Sequence, residues 1–191
     1  MAWNDLLLPA GAILLIGAIG VYLIYIFNRL MTFRNAADAN LGQIRVSLKK
    51  RLDMIEQLLG AVKGYVRHER GLFEEIAAMR AKVMETRTGD LTGIDRDSRS
   101  ISGGLLAIAE AYPELKANET VKQLMTAIIS VEDEIARHRY TYNNIVQTLN
   151  TMTDTIPSNL VASAAGVVKR EYLQFEEEVE ARPDLAGISE S

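Results

Sequence analysis

The sequence predicts an all-α membrane protein, with a single N-terminal transmembrane helix followed by a long antiparallel, coiled-coil-like bundle of three to four helices. An uncharged apolar segment near the N-terminus is long enough to cross a bilayer. Two later stretches space their apolar residues by three and four, the period of helices packed in a left-handed bundle. The 191 residues include only four prolines and 6% aromatic residues, which disfavours a turn-rich β fold.

Residues 6–28 form the predicted transmembrane helix. They read LLLPAGAILLIGAIGVYLIYIFN and contain no charged side chain. About 20 apolar residues suffice to cross a hydrocarbon core of roughly 30 Å. The short tail that precedes them, residues 1–5, lacks the Lys or Arg of a secretory signal peptide, so we expect a retained anchor.

Basic residues cluster directly after this span and are absent before it. The positive-inside rule therefore predicts an external N-terminus and a cytoplasmic helical domain in a single-pass protein of the bacterial inner membrane. The overall net charge of -4 offers no concentrated positive field for a nucleic acid. The basic residues that set the orientation are Arg29, Arg34, Arg45, Lys49, Lys50 and Arg51.

The predicted bundle occupies residues 29–180. An apolar stripe from Leu41 to Val83 predicts one long helix, and no proline separates it from the membrane helix, so the two helices could be continuous. The Gly-, Asp-, Ser- and Thr-rich residues 88–104 predict a break, followed by a short helix that ends before Pro113.

Asn118 is the predicted N-cap of a second long helix, whose stripe runs from Val121 to Ile156. Pro157 should end that helix, and small residues should connect it to an acidic amphipathic helix that contacts the bundle through Tyr172, Leu173 and Phe175. Residues 181–191 are expected to form a flexible tail.

Few residues could support chemistry. The absence of cysteine excludes disulfides, thiolate metal sites and a cysteine nucleophile. His68-Glu69 begins a zinc-protease motif, but Leu72 stands where its second histidine is required. We find no phosphate-binding loop and no activated serine, and therefore predict no enzymatic activity, no catalytic residue and no cofactor. The alternative is a metal-dependent hydrolase or metal sensor that uses His68 and His138 with nearby carboxylates such as Glu69 and Glu132.

Two charged residues, Arg51 and Glu69, interrupt the first apolar stripe. They are about 27 Å apart along a helix and cannot pair with each other. Because unpaired burial is costly, each needs a partner on another helix or subunit. These ions would either fix helix register and oligomer geometry or lie at a wet edge of the bundle. The expected partners are Glu132, Glu134, Arg137 and Arg139.

Three blocks resemble the LemA family: residues 46–69 (VSLKKRLDMIEQLLGAVKGYVRHE), 109–119 (AEAYPELKANE) and 132–162. The sequence departs from the family pattern at residues 36–42, which lack a usual tryptophan, and at Glu56-Gln57, where Pro-Asn is usual. The resemblance implies the following polar positions for interhelical contacts: Arg51, Asp53, Tyr65, His68, Glu69, Glu132, Arg139, Tyr142, Asn143 and Asn150.

LemA-like proteins are single-span membrane proteins with no assigned catalytic activity, often found beside membrane zinc proteases of the HtpX type. The resemblance therefore implies a membrane-anchored, non-enzymatic scaffold or adaptor in membrane protein quality control. We expect the chain to self-associate through its apolar stripes and to engage a membrane partner, such as an HtpX-type metalloprotease, in addition to the lipid bilayer. A stalk that transmits an external stimulus is less favoured, because only five residues would lie outside.

Overall fold

The structure is a computed structural model that describes residues 3–66, 69–86 and 88–174, without the side chains of residues 3–8, 69, 88 and 89. Over these residues it contains helices and no strand, which confirms the all-α prediction. The helices are α1 (Trp3–Ala61), α2 (Glu69–Val83), α3 (Thr88–Ala111), α4 (Pro113–Ala117), α5 (Glu119–Asp154) and α6 (Ser158–Ala164), with a 3-10 turn at Lys63–Tyr65.

Helix α1 joins the membrane span to the bundle without interruption. It contains 59 residues and is therefore about 90 Å long. One stretch of it is long and apolar enough to cross a membrane. Large side chains in that stretch point outward, with Leu14 74% and Val21 70% exposed, as lipid contact requires. The anchor and the first bundle helix are thus one continuous helix.

The expected continuous helix over residues 41–83 was wrong. Helix α1 ends at Ala61, and after the turn at Lys63–Tyr65 helix α2 folds back against α1. The apolar stripe continues through the turn because a helical hairpin buries an apolar face on each arm. Periodicity shows that a face is buried, but it does not show what covers that face.

The expected break over residues 88–104 was also wrong, because these residues belong to helix α3. Its apolar face repeats at helical spacing through Leu91, Ile94, Leu105 and Ala109, all of them buried. The weak helix propensity of Gly, Ser, Thr and Asp is a matter of tenths of a kcal/mol to about 1 kcal/mol per residue, which burial of this face outweighs. The actual break follows Val83.

Helix boundaries around α5 follow their sequence signals. Helix α3 ends at Ala111, before Pro113. The Asn118 side chain accepts hydrogen bonds from the backbone N–H groups of Thr120 (2.9 Å) and Val121 (3.2 Å), which confirms it as the N-cap. Helix α5 ends at Asp154, shortly before Pro157.

The core lies mainly between α1 and α5, which run antiparallel, with α2 and α3 packed beside them. The apolar stripes of the two long helices face each other within one chain, so that each stripe is buried by the other. A smaller apolar cluster closes the membrane end of the bundle, where α6 meets α1. It consists of Ile26, Leu30, Leu149, Ala162 and Val167.

The C-terminal segment differs from the expected amphipathic helix as far as the structure describes it, because residues 167–174 are not helical. Leu173 is nevertheless buried in the main core, as predicted, whereas Tyr172 is 49% exposed. Phe175 and the predicted tail at 181–191 lie outside the described residues.

Candidate functional site

Three helices meet at a buried ion network. From α1, Arg51 Nη2 donates to Asp95 Oδ1 (2.7 Å) and to the Asp95 carbonyl oxygen (2.8 Å) on α3. From α5, Arg139 Nη1 donates to Asp95 Oδ2 at 2.5 Å. Arg51 is 0% exposed and Asp95 5%. One carboxylate is therefore shared by Arg51 and Arg139, with Arg99 Nη2 of α3 itself 3.4 Å from Oδ2, and it joins α1, α3 and α5.

This arrangement corrects the expected partners of Arg51. The expected partners lie on the second long helix, whereas the partner is Asp95 on α3, within residues 88–104. Complete burial excludes a wet-edge position for Arg51. The signal that could have found Asp95 is its place on the apolar face of α3, beside Leu91 and Ile94, where an isolated charge requires a partner.

The other predicted polar positions are dispersed. Asp53 lies at the surface with Arg80 (3.1 Å), and Glu132 accepts from Ser102 Oγ at 3.2 Å. The buried Tyr142 donates its hydroxyl to the Glu171 carbonyl at 3.2 Å. His68 and the Glu69 side chain lie outside the described residues.

Nothing in the described part of the chain favours the metal alternative. Nε2 of His138 lies 4.0 Å from Oε1 of Glu134, one turn away on the same helix. No three His, Cys, Asp or Glu side chains cluster within the described ranges.

Two asparagines on α5 hold the end of the described chain, residues 169–174, which we call the strap. The Asn143 amide donates to the Leu173 carbonyl (2.8 Å) and accepts from the Leu173 N–H (2.9 Å). The Asn150 amide makes the same pair of bonds with the carbonyl and N–H of Arg170, both at 2.9 Å. Each side chain therefore binds the strap as a neighbouring β-strand would, through the backbone.

The spacing of the two asparagines matches that of an extended chain. Asn143 and Asn150 are seven residues apart, which corresponds to about 10.5 Å along a helix. Their partners, Arg170 and Leu173, are three residues apart, about 10 Å in an extended chain. The strap thus runs antiparallel to α5 with its register set by the two amides.

Charged contacts secure both ends of the strap. Arg170 forms a two-pronged pair with Asp38 on α1, at 2.5 and 3.0 Å, and this bonding raises the pKa of Arg170. At the other end, the Gln174 carbonyl accepts from Arg139 Nη2. Because Arg139 also binds Asp95, the strap and the ion network share a residue.

A second polar link between the long helices makes stability depend on pH. Ser47 on α1 donates to Glu134 Oε1 on α5 at 2.8 Å, and Lys50 lies 3.3 Å from Oε2. The Ser47 hydrogen bond, and then Lys50, lower the pKa of Glu134. A lowered carboxyl pKa stabilises the fold above the pKa of the unfolded state, about 4.3, and that contribution is lost as pH falls through the folded pKa.

Ser47→Ala should therefore reduce stability at pH 7 by about 1 kcal/mol, a small value because Glu134 is partly exposed. The deficit should shrink in acid, where Glu134 is protonated in both proteins. Thermal unfolding by circular dichroism in detergent at several pH values measures it. Ser130→Ala, at an exposed position of α5, is the matched control, and a Ser47→Ala deficit independent of pH would contradict the role of Glu134.

The end of the bundle farthest from the span presents paired aromatic rings. The rings of Tyr65 and Tyr112 lie 4.7 Å apart between centroids. The Tyr65 hydroxyl donates to Glu114 Oε2 at 2.8 Å, which raises the pKa of Tyr65. Both rings are partly exposed, Tyr65 by 37% and Tyr112 by 43%. We call Tyr65, Tyr112 and Pro113 the distal tip.

Comparison with known proteins gives a consistent family. Two magnetosome proteins MamQ of Paramagnetospirillum magneticum are each 23% identical over 198 residues, covering 87% of this chain and 73% of their own. Protein LemA of Metamycoplasma hominis is 29% identical over 145 residues, covering 74% of this chain and 66% of its own. The LemA family model matches residues 40–186, from the bundle part of α1 to beyond the strap, and on that match this chain belongs to the LemA family.

Proposed function

We propose that the protein is a non-enzymatic scaffold or adaptor that holds a binding surface at a set distance from the membrane. The observation that carries this proposal is the unbroken helix α1, which runs from the apolar span to Ala61, four residues before Tyr65 of the distal tip. From Asn28 to Ala61 the helix extends about 50 Å. Because α1 is continuous and packs along α5, no hinge lies between the membrane span and the distal end of the bundle.

The distal tip is the surface proposed to bind a partner. Partly exposed tyrosines combine a large apolar ring with a hydroxyl, and such residues are enriched where proteins bind each other. The partner proposed here is another membrane protein, with a metalloprotease of the HtpX type as the class implied by the resemblance. The bundle would lie on the cytoplasmic side of the bacterial inner membrane, by the charge bias that follows the span.

Self-association is the second part of this proposal, but its surface cannot be the apolar stripes. These pack between α1 and α5 within one chain, which corrects the expected use of the stripes in oligomers. Exposed apolar side chains elsewhere on the two helices, such as Val46, Ile129 and Tyr140, provide another surface.

Photocrosslinking from the tip tests the adaptor proposal. We expect benzoylphenylalanine at Tyr112, in the full chain in native membranes, to capture a distinct membrane protein identifiable by mass spectrometry. The matched control places it at Tyr140, which is 66% exposed on the side of α5. Capture of this chain alone at both positions would leave a self-assembling scaffold and contradict the adaptor role, as would the absence of any adduct at Tyr112.

A further inference from the structure

The segment that joins α5 to the strap is unusually free of charge. Residues 155–168, which contain α6 and which we call the α6 loop, include no Asp, Glu, Lys or Arg. The charges at its two ends, Asp154 and Lys169, pair with each other at 2.8 Å between Oδ1 and Nζ. An ion pair thus joins the two ends of the uncharged α6 loop.

The α6 loop exposes large apolar side chains that the bundle does not cover. Ile156 is 82% exposed and Leu160 67%. A side chain of this kind gains about 1.5–3 kcal/mol when it moves from water to an apolar surrounding. Clustered exposure on a loop without charges indicates a surface that meets another apolar phase.

The position of the loop identifies that phase. Leu160 and Val161 line an apolar groove together with Leu23, Ile24 and Phe27 of the membrane span. The apolar surface of the α6 loop is therefore continuous with the surface of α1 that faces lipid.

The expected edge of the hydrocarbon core lies at the same level. Twenty residues counted from Leu6 end at Tyr25, and Tyr22 and Tyr25 are of the type that settles at membrane interfaces. Ile156 lines a groove together with both tyrosines.

The groove next to Ile156 suits lipid headgroups. It has a volume of about 470 Å³, and its lining includes the Arg29 side chain and the hydroxyl-bearing Thr148, Thr151 and Thr155. The Arg29 guanidinium is a group that binds phosphate oxygens, whereas the three threonine hydroxyls already donate to backbone carbonyls one turn back on α5. The groove thus offers polar contacts at the level of the headgroups and apolar contacts below them.

We infer that the α6 loop is a second membrane contact, which inserts Ile156 and Leu160 into the lipid interface with phospholipid headgroups over the Arg29 groove. This contact fixes the tilt and rotation of the bundle on the membrane, which a single span does not. The inference rests on the membrane location of the span and not on the adaptor role, so either can fail alone.

The absence of cysteine makes a direct test possible. Ile156→Cys and Leu160→Cys, each in the full chain, carry a nitroxide label in nanodiscs of phosphatidylcholine and phosphatidylglycerol. Power-saturation electron paramagnetic resonance measures collisions with oxygen, which concentrates in lipid, and with a water-soluble nickel chelate. We expect several-fold fewer nickel collisions and more oxygen collisions than at Ser130→Cys, a control at an exposed position about 36 Å along α5 from Asp154.

Both label sites are exposed in the fold, so the substitutions leave the core intact, and circular dichroism checks this. Nickel access at both sites equal to the Ser130→Cys control would overturn the inference by placing the loop in water. Low access to both reagents would also overturn it, because another protein, such as a second copy of the chain, would then cover the loop.

Discussion

Asp95→Ala is expected to destabilise the bundle by about 3–5 kcal/mol, the usual cost of removing one partner from a buried ion pair. The carboxylate is the shared acceptor of Arg51 and Arg139. Without it, Arg51 remains 0% exposed with no anion to offset the loss of its hydration. Thermal and chemical unfolding of the full chain in detergent, followed by circular dichroism, measures the loss.

The control for this prediction is Asp97→Ala. Asp97 is an exposed acid on the same helix, paired with its neighbour Arg96 at 3.3 Å. Its removal should change stability by less than about 1 kcal/mol. Equal effects of the two substitutions would show that Asp95 is not the centre of the network.

A triple variant separates the cost of an unpaired charge from the contribution of the pair itself. Arg51→Met, Asp95→Leu and Arg139→Met together replace the three buried charges of the network with apolar side chains. Such replacements are often neutral or stabilising, whereas the broken pair is not. We expect the triple variant to regain most of the stability lost by Asp95→Ala, although it lacks the Arg139 bond to Gln174.

The helices of the bundle could be predicted from the sequence where their buried apolar residues recur at helical spacing. The span, the N-cap Asn118 and the stop at Pro157 each depend on residues local to them, and each was found. The fold-back after Ala61 could not be predicted, because Ile76 and Met79 continue the same stripe whether the chain runs straight or returns.

The site was less predictable, for two physical reasons. Asp95 lies in a segment whose composition favours turns, and tertiary packing overrode that preference. Asn143 and Asn150 bind the strap through its backbone, so these four hydrogen bonds leave no pattern in the side chains of residues 169–174. The available signal was on the other partner, where Asn143 and Asn150 are seven residues apart on α5.

Replacing both Asn143 and Asn150 with alanine is the second large expected effect, because it should release the strap. The change removes four hydrogen bonds, each contributing about 0.5–1.5 kcal/mol, for a total of about 2–6 kcal/mol. Arg170 and Leu173 each lose the two bonds of one asparagine, about 1–3 kcal/mol, so their N–H groups should exchange with deuterium roughly 5- to 150-fold faster, since tenfold corresponds to about 1.4 kcal/mol. Asn144→Ala, at an exposed neighbour, is the matched control, and unchanged protection at both amides would contradict the clamp.

The two asparagines should differ in how they couple to the ion network. Arg139 links Asp95 to the strap carbonyl of Gln174, and it lies about 6 Å along α5 from Asn143 but about 16 Å from Asn150. Residues that share a partner couple, whereas distant ones add independently. Asn143→Ala combined with Asp95→Ala should therefore cost less than the sum of the single changes, since either one loosens the strap at Gln174. Asn150→Ala combined with Asp95→Ala should be additive within about 0.5 kcal/mol, because Arg170 keeps its own anchor in Asp38.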